Sequence, residues 1–395
     1  MVAREVKTGI YWVGSIDWDR NLFDELIPLP QGTSYNSFLV QGNEKTALID
    51  TVDPHKTEDL VENLRSLAVT RIDYIVINHA EQDHSGALPK MLELFPDAQV
   101  VTNEKCKELL LLLLRIPDEK FIPVADRQTI SLGNKTLEFL TVPWVHWPDT
   151  MVTYLKEDRI LFSGDLFGSH IATSDLFVDD EKMGSLGAKR YFGELMMPFR
   201  DRIKSHMEKL RDFDIGIIAP GHGLLYNSPE FILNSYQEWL SDDVNNEVII
   251  AYVSMHGSTE AMVKYLTDAL MKRRISVRQF NMTKTDPGEF AAALVDAATL
   301  VFGVPTILFG PHPQIIYTTY LANLLKPKAR YAAIIGSFGW GGKTVDILTG
   351  MLSHWNGEFI EPVLIKGAPD TQTFAALEKL ADMILEKHMS NPLVK

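Results

Sequence analysis

Only one cysteine, Cys106, occurs among 395 residues. An internal disulfide is therefore excluded, as is any cysteine-ligated iron–sulfur cluster or rubredoxin-like centre within this chain. A donor of that kind would have to be a separate protein. Long apolar runs are also missing: the leucine run 109–114 is far short of the roughly 20 residues a membrane-spanning helix needs. The first nine residues carry charge where a secretory leader would be apolar, so the expectation is a soluble, cytoplasmic protein with no membrane contact. Positive charge is scarce as well, with 38 Lys and Arg against 52 Asp and Glu and a net charge of −14. Nucleic-acid backbones are held by clusters of Lys and Arg, and none stands out here; no nucleic-acid partner is expected.

The length exceeds what one hydrophobic core usually supports. The charge deficit is also uneven: residues 1–245 hold 24 basic and 39 acidic side chains (net −15), and residues 246–395 hold 14 and 13 (net +1). The polar, turn-forming segment 241–246 falls at the same place, so two domains are expected, 1–245 and 246–395. In the first, short β-rich runs at 37–40, 47–49, 74–78, 99–102, 136–141, 151–155, 160–162 and 215–219 mix with helical patterns such as 85–94. That mixture suggests a layered α/β sandwich. In the second, strands expected at 248–253, 277–280, 299–303, 331–336 and 359–365 alternate with helices at 260–272, 287–296, 315–325, 344–354 and 371–387. Five strands separated by helices predict a doubly wound parallel sheet of flavodoxin-like size, with its ligand site at the carboxyl ends of the strands.

His79, Glu81, Asp83 and His84 crowd into one turn directly after a buried-strand pattern. Such crowding costs solvation and mutual repulsion unless cations compensate it. His146, Asp165 and His222 each follow another apolar strand pattern, with glycine beside the last two to allow close backbone approach. Singly, each has an ordinary alternative, a core histidine or a helix-capping aspartate. Together and in this order they point to a metal site. In the second domain, Ser254, Met255, His256, Gly257, Ser258 and Thr259 lie between a strand and a helix and offer hydroxyls and a helix N-terminus to a phosphate monoester. Pro305, Thr306, Ile307 and Leu308 follow the third strand, and Ser337, Phe338, Gly339, Trp340, Gly341 and Gly342 follow the fourth, where they could wrap a flavin ring. The fingerprint G-x-G-x-x-G is absent after the first strand, so FMN is expected in preference to a dinucleotide.

The order H-x-E-x-D-H, then H, D and H, resembles the metallo-β-lactamase superfamily pattern H-x-H-x-D-H. Glu81 stands at the second histidine and adds an oxygen ligand that suits iron better than zinc. Combined with a flavodoxin-like second half, it resembles the flavodiiron proteins, also called A-type flavoproteins. The likeness extends to G-I-Y-W-V-G-S-I-D-W near the start, H-W-P-D from His146, and G-S-H-I-A-T soon after Asp165.

That resemblance implies a metallo-β-lactamase-like αββα sandwich joined to a flavodoxin-like domain. It implies one iron on His79, Glu81 and His146, a second on Asp83, His84 and His222, and Asp165 bridging them with an oxo or hydroxo group; these seven would be the catalytic residues. It further implies reduction of dioxygen to water or of nitric oxide to nitrous oxide, with electrons entering through FMN from a rubredoxin-like protein or a reduced deazaflavin. A head-to-tail homodimer, or a dimer of dimers, is implied too. In some family members the histidine matching His84 turns away from the metal. His170 is expected to support the ligands or to pack rather than ligate, and Tyr191 and Phe192 either line the site or belong to the ordinary core. The competing reading is a thioester, lactone or phosphodiester metallohydrolase using a metal-bound hydroxide, with the flavodoxin-like half as an accessory module.

Overall fold

The computed structural model describes residues 2–395. They divide into two compact units, one holding the chain up to Phe192 with Phe199–Leu240, the other Gly193–Pro198 with Ser241–Lys395.

In the first unit, seven strands pair in the order Arg4–Lys7, Ile10–Trp12, Phe38–Gln41, Thr46–Ile49, Tyr74–Val76, Gln99–Thr102 and Phe121–Pro123. Five more form a second sheet, Thr129–Ser131, Thr136–Thr141, Met151–Leu155, Ile160–Gly164 and Ile217–Pro220. Side chains of a strand alternate between faces, and both faces of the first sheet are apolar. Leu39, Leu48, Ile75 and Val100 pack with Leu60, Leu64, Leu88, Met91 and Leu110 of three helices. Their neighbours Phe38, Val40, Ile49 and Val76 pack with Phe139, Met151 and Phe162 of the second sheet. Helices Glu181–Tyr191, Arg200–Leu210 and Glu230–Leu240 complete an αββα sandwich.

The second unit is a parallel sheet ordered Ser276–Asn281, Asn245–Tyr252, Ala297–Ile307, Tyr331–Phe338 and then an edge formed by Glu358–Phe359 and Val363–Lys366. Helices Ser258–Lys272 and Thr371–Ser390 bury Leu266, Leu270, Leu377 and Ile384 against Val248, Ile250, Val301 and Ile335. This is the doubly wound architecture expected.

Two local expectations needed correction. The helix expected over 85–94 is two pieces, Gln82–Ser85 and Leu88–Leu94. Gly86 sits between them, where a Cβ would come within 2.5 Å of the Pro54 ring, and Pro89 favours a fresh first turn. The fifth strand expected over 359–365 is split, and the gap contains Pro362, which cannot donate to the ladder.

The strand ends bring the ligand candidates together. His79 follows Tyr74–Val76, Asp165 follows Ile160–Gly164, and His222 follows Ile217–Pro220. The last two strands are parallel neighbours, so Asp165 and His222 emerge on the same side.

Candidate metal and flavin sites

The turn that carries four ligand candidates is fixed from beneath. The Asn78 backbone N–H and side-chain amide donate to the two oxygens of buried Asp50 at 2.8 and 2.6 Å. Thr153 donates to the Asn78 side-chain oxygen at 2.8 Å. Between His79 and Glu81, the Ala80 N–H donates to Asp149 Oδ2 at 2.8 Å. The His84 carbonyl accepts from both the N–H and hydroxyl of Thr51 at 2.7 Å. Asn36 braces the loop bearing His222, its amide donating to the carbonyls of Pro220 and Gly223 at 2.8 Å. Gly221 is required for a steric reason: a Cβ there would lie 2.6 Å from the His84 ring.

Two groups of donor atoms result, each with its atoms within 4.8 Å of one another: His79, Glu81, His146 and Asp165; and Asp83, His84 and His222. Asp165 faces both. Its Oδ2 lies 3.2 Å from His79 Nε2 and 3.0 Å from His146 Nε2; its Oδ1 lies 2.9 Å from His84 Nε2 and 3.7 Å from His222 Nε2. Asp83 Oδ2 approaches His222 Nε2 at 3.1 Å. Despite this closeness, both oxygens of Asp83 and of Asp165, both nitrogens of His84 and Nε2 of His146 are buried without a hydrogen-bond partner. Uncompensated burial of so many polar atoms is costly. Lone pairs that converge on common points without satisfying one another fit a pair of cations. His222 Nδ1 lies 2.7 Å from the Ser34 carbonyl and donates to it, which fixes the tautomer and leaves Nε2 to ligate.

All seven predicted ligands therefore converge, and His84 turns inward with the rest. A cavity of about 160 Å³ adjoins the second group, walled by Phe23, Asp24, Tyr35, Asp83, His170 and His222 among others. His170 does not join either group. Its Nδ1 is 2.9 Å from the Thr33 hydroxyl and its ring packs 4.9 Å from Phe23 and 4.8 Å from Tyr191. Burial, reinforced by His222, holds its pKa well below the ordinary imidazole value, so it faces the site neutral. Tyr191 is buried with its hydroxyl unpartnered; burial and the carboxylates of Asp165, Asp83 and Glu81 push its pKa far up, keeping it a proton-bearing donor.

Sequence reading missed Arg20, Phe23 and Asp24 in the cavity wall, and Asp50, Asn78 and Asp149 beneath the ligands. The signal available for Asp50 was its place directly after the apolar strand pattern 47–49; its positive φ of 55° shows only in the structure. Asn103 shows how far the support reaches: it caps helix Glu104–Leu113 by accepting from the Cys106 N–H at 3.0 Å and donates to the Asp149 carbonyl at 2.6 Å. Asn103→Ala should cost about 1–2 kcal/mol, read as a fall of about 3–6 °C in melting temperature. An unchanged melting temperature would show that neither bond carries net stability.

In the second unit a cavity of about 290 Å³ opens at the carboxyl ends of the strands. Ser254, Met255, His256, Ser258 and Thr259 line one part, Pro305 and Thr306 another, and Ser337, Phe338 and Gly339 a third. Gly257 caps the helix Ser258–Lys272 with φ of 87°, a conformation that favours glycine. Ile307, Leu308, Trp340, Gly341 and Gly342 do not line this cavity; Gly367 and Ala368, unforeseen, do. Leu308, Phe309 and Trp340 are exposed, the last two rings edge to face at 4.6 Å. Three strand-end loops, a helix N-terminus and hydroxyl side chains suit a flavin mononucleotide, whose phosphate needs N–H and O–H donors.

A family model described as "ODP family beta lactamase" matches residues 33–223. A nitric oxide reductase of Moorella thermoacetica is 34% identical over 352 residues, 87% of this chain and 88% of that protein. Two solved structures superpose along almost the whole length. Rubredoxin oxygen:oxidoreductase from Desulfovibrio gigas gives a TM-score of 0.94 at 28% identity, and the flavodiiron protein of Giardia intestinalis 0.88 at 27%, each covering 98% of both chains.

Proposed function

Because the chain belongs to the flavodiiron protein family, we propose that it is an oxidoreductase that reduces dioxygen to water, nitric oxide to nitrous oxide, or both, at two irons held by His79, Glu81, His146, Asp83, His84, His222 and the shared Asp165. The observation that carries this is the division of the Asp165 carboxylate between two sets of orphaned donor atoms. Bound there, two irons would supply one-electron redox chemistry, and FMN in the strand-end cavity of the second unit would supply two electrons more. Dioxygen needs four electrons to become two waters; two nitric oxide molecules need two to become nitrous oxide and water.

The residues of the chain have separable tasks. Glu81, Asp83 and Asp165 contribute three negative charges, nearly balancing two ferrous ions. The Ser34 carbonyl aims His222, and Asp149 holds the backbone between His79 and Glu81. Tyr191 and neutral His170 border the site. A cavity of about 160 Å³ adjoining the second donor group has room for a diatomic gas with a few waters.

The electron donor proposed is a rubredoxin-like protein or a reduced deazaflavin, since Cys106 alone cannot build an iron–sulfur centre. Assembly as a head-to-tail homodimer, or a dimer of dimers, would set the flavin of one subunit beside the irons of the next. A cytoplasmic location accords with the absence, among the described residues, of any helix long and apolar enough to cross a membrane. The decisive measurement is anaerobic reduction of the purified protein, followed by parallel electrode traces with each gas. A yellow protein with about two irons per chain that consumes at least one gas is the expected outcome. A colourless, zinc-filled protein inert to both gases would overturn the proposal.

A further inference from the structure

Ala80 stands between His79 and Glu81 and is fully buried. A buried backbone N–H has to find an acceptor, and the strand Tyr74–Val76 has already ended at this point. Asp149 supplies the acceptor, its Oδ2 taking the Ala80 N–H at 2.8 Å. Asp149 is itself buried and lies three residues beyond His146. One side chain therefore joins the turn that carries His79 and Glu81 to the loop that carries His146, and those three residues belong to the same donor group. The Met151 N–H donates to the Asn78 carbonyl at 2.8 Å and closes the junction on its other side. Asn103, capping the helix Glu104–Leu113, holds the Asp149 carbonyl at 2.6 Å.

The other donor group has separate supports. The Ser34 carbonyl fixes the His222 ring at 2.7 Å, Asn36 braces the backbone on both sides of His222 at 2.8 Å, and Thr51 holds the His84 carbonyl at 2.7 Å. None of these bonds involves Asp149. Building on the two-metal reading above, we propose that Asp149 is a positioning residue for one ion only, preorganising His79, Glu81 and His146 as a unit and leaving the ion of Asp83, His84 and His222 independent of it. Ligands already held in place need no ordering when the ion arrives. Without the junction, the turn and the His146 loop would have to be brought together by the ion itself, at a cost in its affinity. Gas reduction is proposed at the pair, so loss of this one ion is enough to stop it. The bond can be separated from the charge, because Asp149 Oδ1 has no hydrogen-bond partner: an asparagine keeps an oxygen for the Ala80 N–H and gives up only the carboxylate.

The test uses the full-length protein stripped of metal and titrated with zinc in two backgrounds. His222→Ala leaves the donor group of His79, Glu81 and His146 as the complete set, and Glu81→Ala leaves the other. Asp149→Ala should weaken zinc binding about 10- to 100-fold in the His222→Ala protein, the loss typical of an orienting partner, and less than about threefold in the Glu81→Ala protein. Asp149→Asn should stay within about threefold of the parent in both. In the otherwise unaltered chain, iron should fall toward about one per chain in Asp149→Ala and return to about two in Asp149→Asn. Equal weakening in the two backgrounds would mean general loosening of the fold. Asp149→Asn as weak as Asp149→Ala would mean that the carboxylate acts through its charge and not through the bond. An affinity untouched in the His222→Ala protein would mean that the junction positions nothing. Each of these results would overturn the assignment and leave the two-metal reading standing, whereas a wild type that binds neither zinc nor iron would remove both.

Discussion

Replacing Asp165 by alanine should empty both metal positions together and lower gas turnover by at least about three orders of magnitude. That is well beyond the roughly 10- to 100-fold typical of losing a partner that only orients a ligand. The expectation follows from where its oxygens point. Oδ2 is shared with His79 and His146, and Oδ1 with His84 and His222, so one side chain takes part in both coordination sets. It is also 1% exposed. A water filling its place would bring no negative charge, and Glu81 and Asp83 already belong to one donor group each. The remaining four histidines would face two cations with only two carboxylates.

Substitutions confined to one set should behave differently. Glu81→Ala should first deplete the ion held with His79 and His146, leaving near one iron per chain, and His222→Ala the other. Iron counted per chain across the three variants, beside gas traces, separates a shared ligand from two private ones. An Asp165→Ala protein that still carried two irons and turned over normally would contradict the proposed site.

The convergence of the seven candidate residues was legible in the sequence because metal-site chemistry constrains residue type and local order together. Four donors within six residues repel one another and resist burial unless cations sit among them, and strands that end in His or Asp beside glycine mark where chain ends meet a ligand. The sheet of the second unit was legible for a related reason: strands buried on both faces read as unbroken apolar runs such as 248–253. What stayed hidden depends on contacts between distant segments. Asp149 lies 69 residues from the Ala80 N–H that it accepts, and no spacing rule links them. Asn36 reaches carbonyls 184 and 187 residues away. The cavity wall at Phe23 and Asp24 belongs to a hairpin of two-residue strands, Leu22–Phe23 and Ile27–Pro28, too short for periodicity to reveal. In the strand-end cavity of the second unit, the three loops singled out in the sequence all contribute lining residues, yet two of them run past it, because a loop's tip, at Leu308 or Trp340, can turn to solvent while its base lines the pocket.

Loading metal into the stripped protein at pH 7 should release about three protons per pair of ions, and the apparent affinity should climb steeply with pH. Burial by itself pushes the imidazoles toward their neutral form, but the adjacent carboxylates outweigh it. Asp83 and Asp165 raise His84 to about 9; the nearby carboxylates of Asp165 and Glu81 raise His146 to about 10; Asp165 and Glu81 carry His79 well above its ordinary value. At pH 7 the raised imidazoles of the metal-free site therefore carry protons beside the three carboxylates. A cation can bind only neutral imidazole, so each of the three must give up its proton. Between pH 7 and about 9, the affinity for a pair of ions should rise by about tenfold per pH unit for each proton displaced. The stability of the metal-free protein should run the opposite way. His84 and His146 have raised pKa values in the folded chain, so their contribution is complete below about 6.5 and is lost as pH rises through about 9 and about 10; the raised His79 acts in the same direction. Melting temperature should fall over that interval in the stripped protein and hold steady in the loaded one. Zinc allows the proton count without redox change, by titration in buffers of different ionisation enthalpy. Loading that releases no protons at pH 7, with an affinity indifferent to pH, would mean that the seven side chains do not meet the metal.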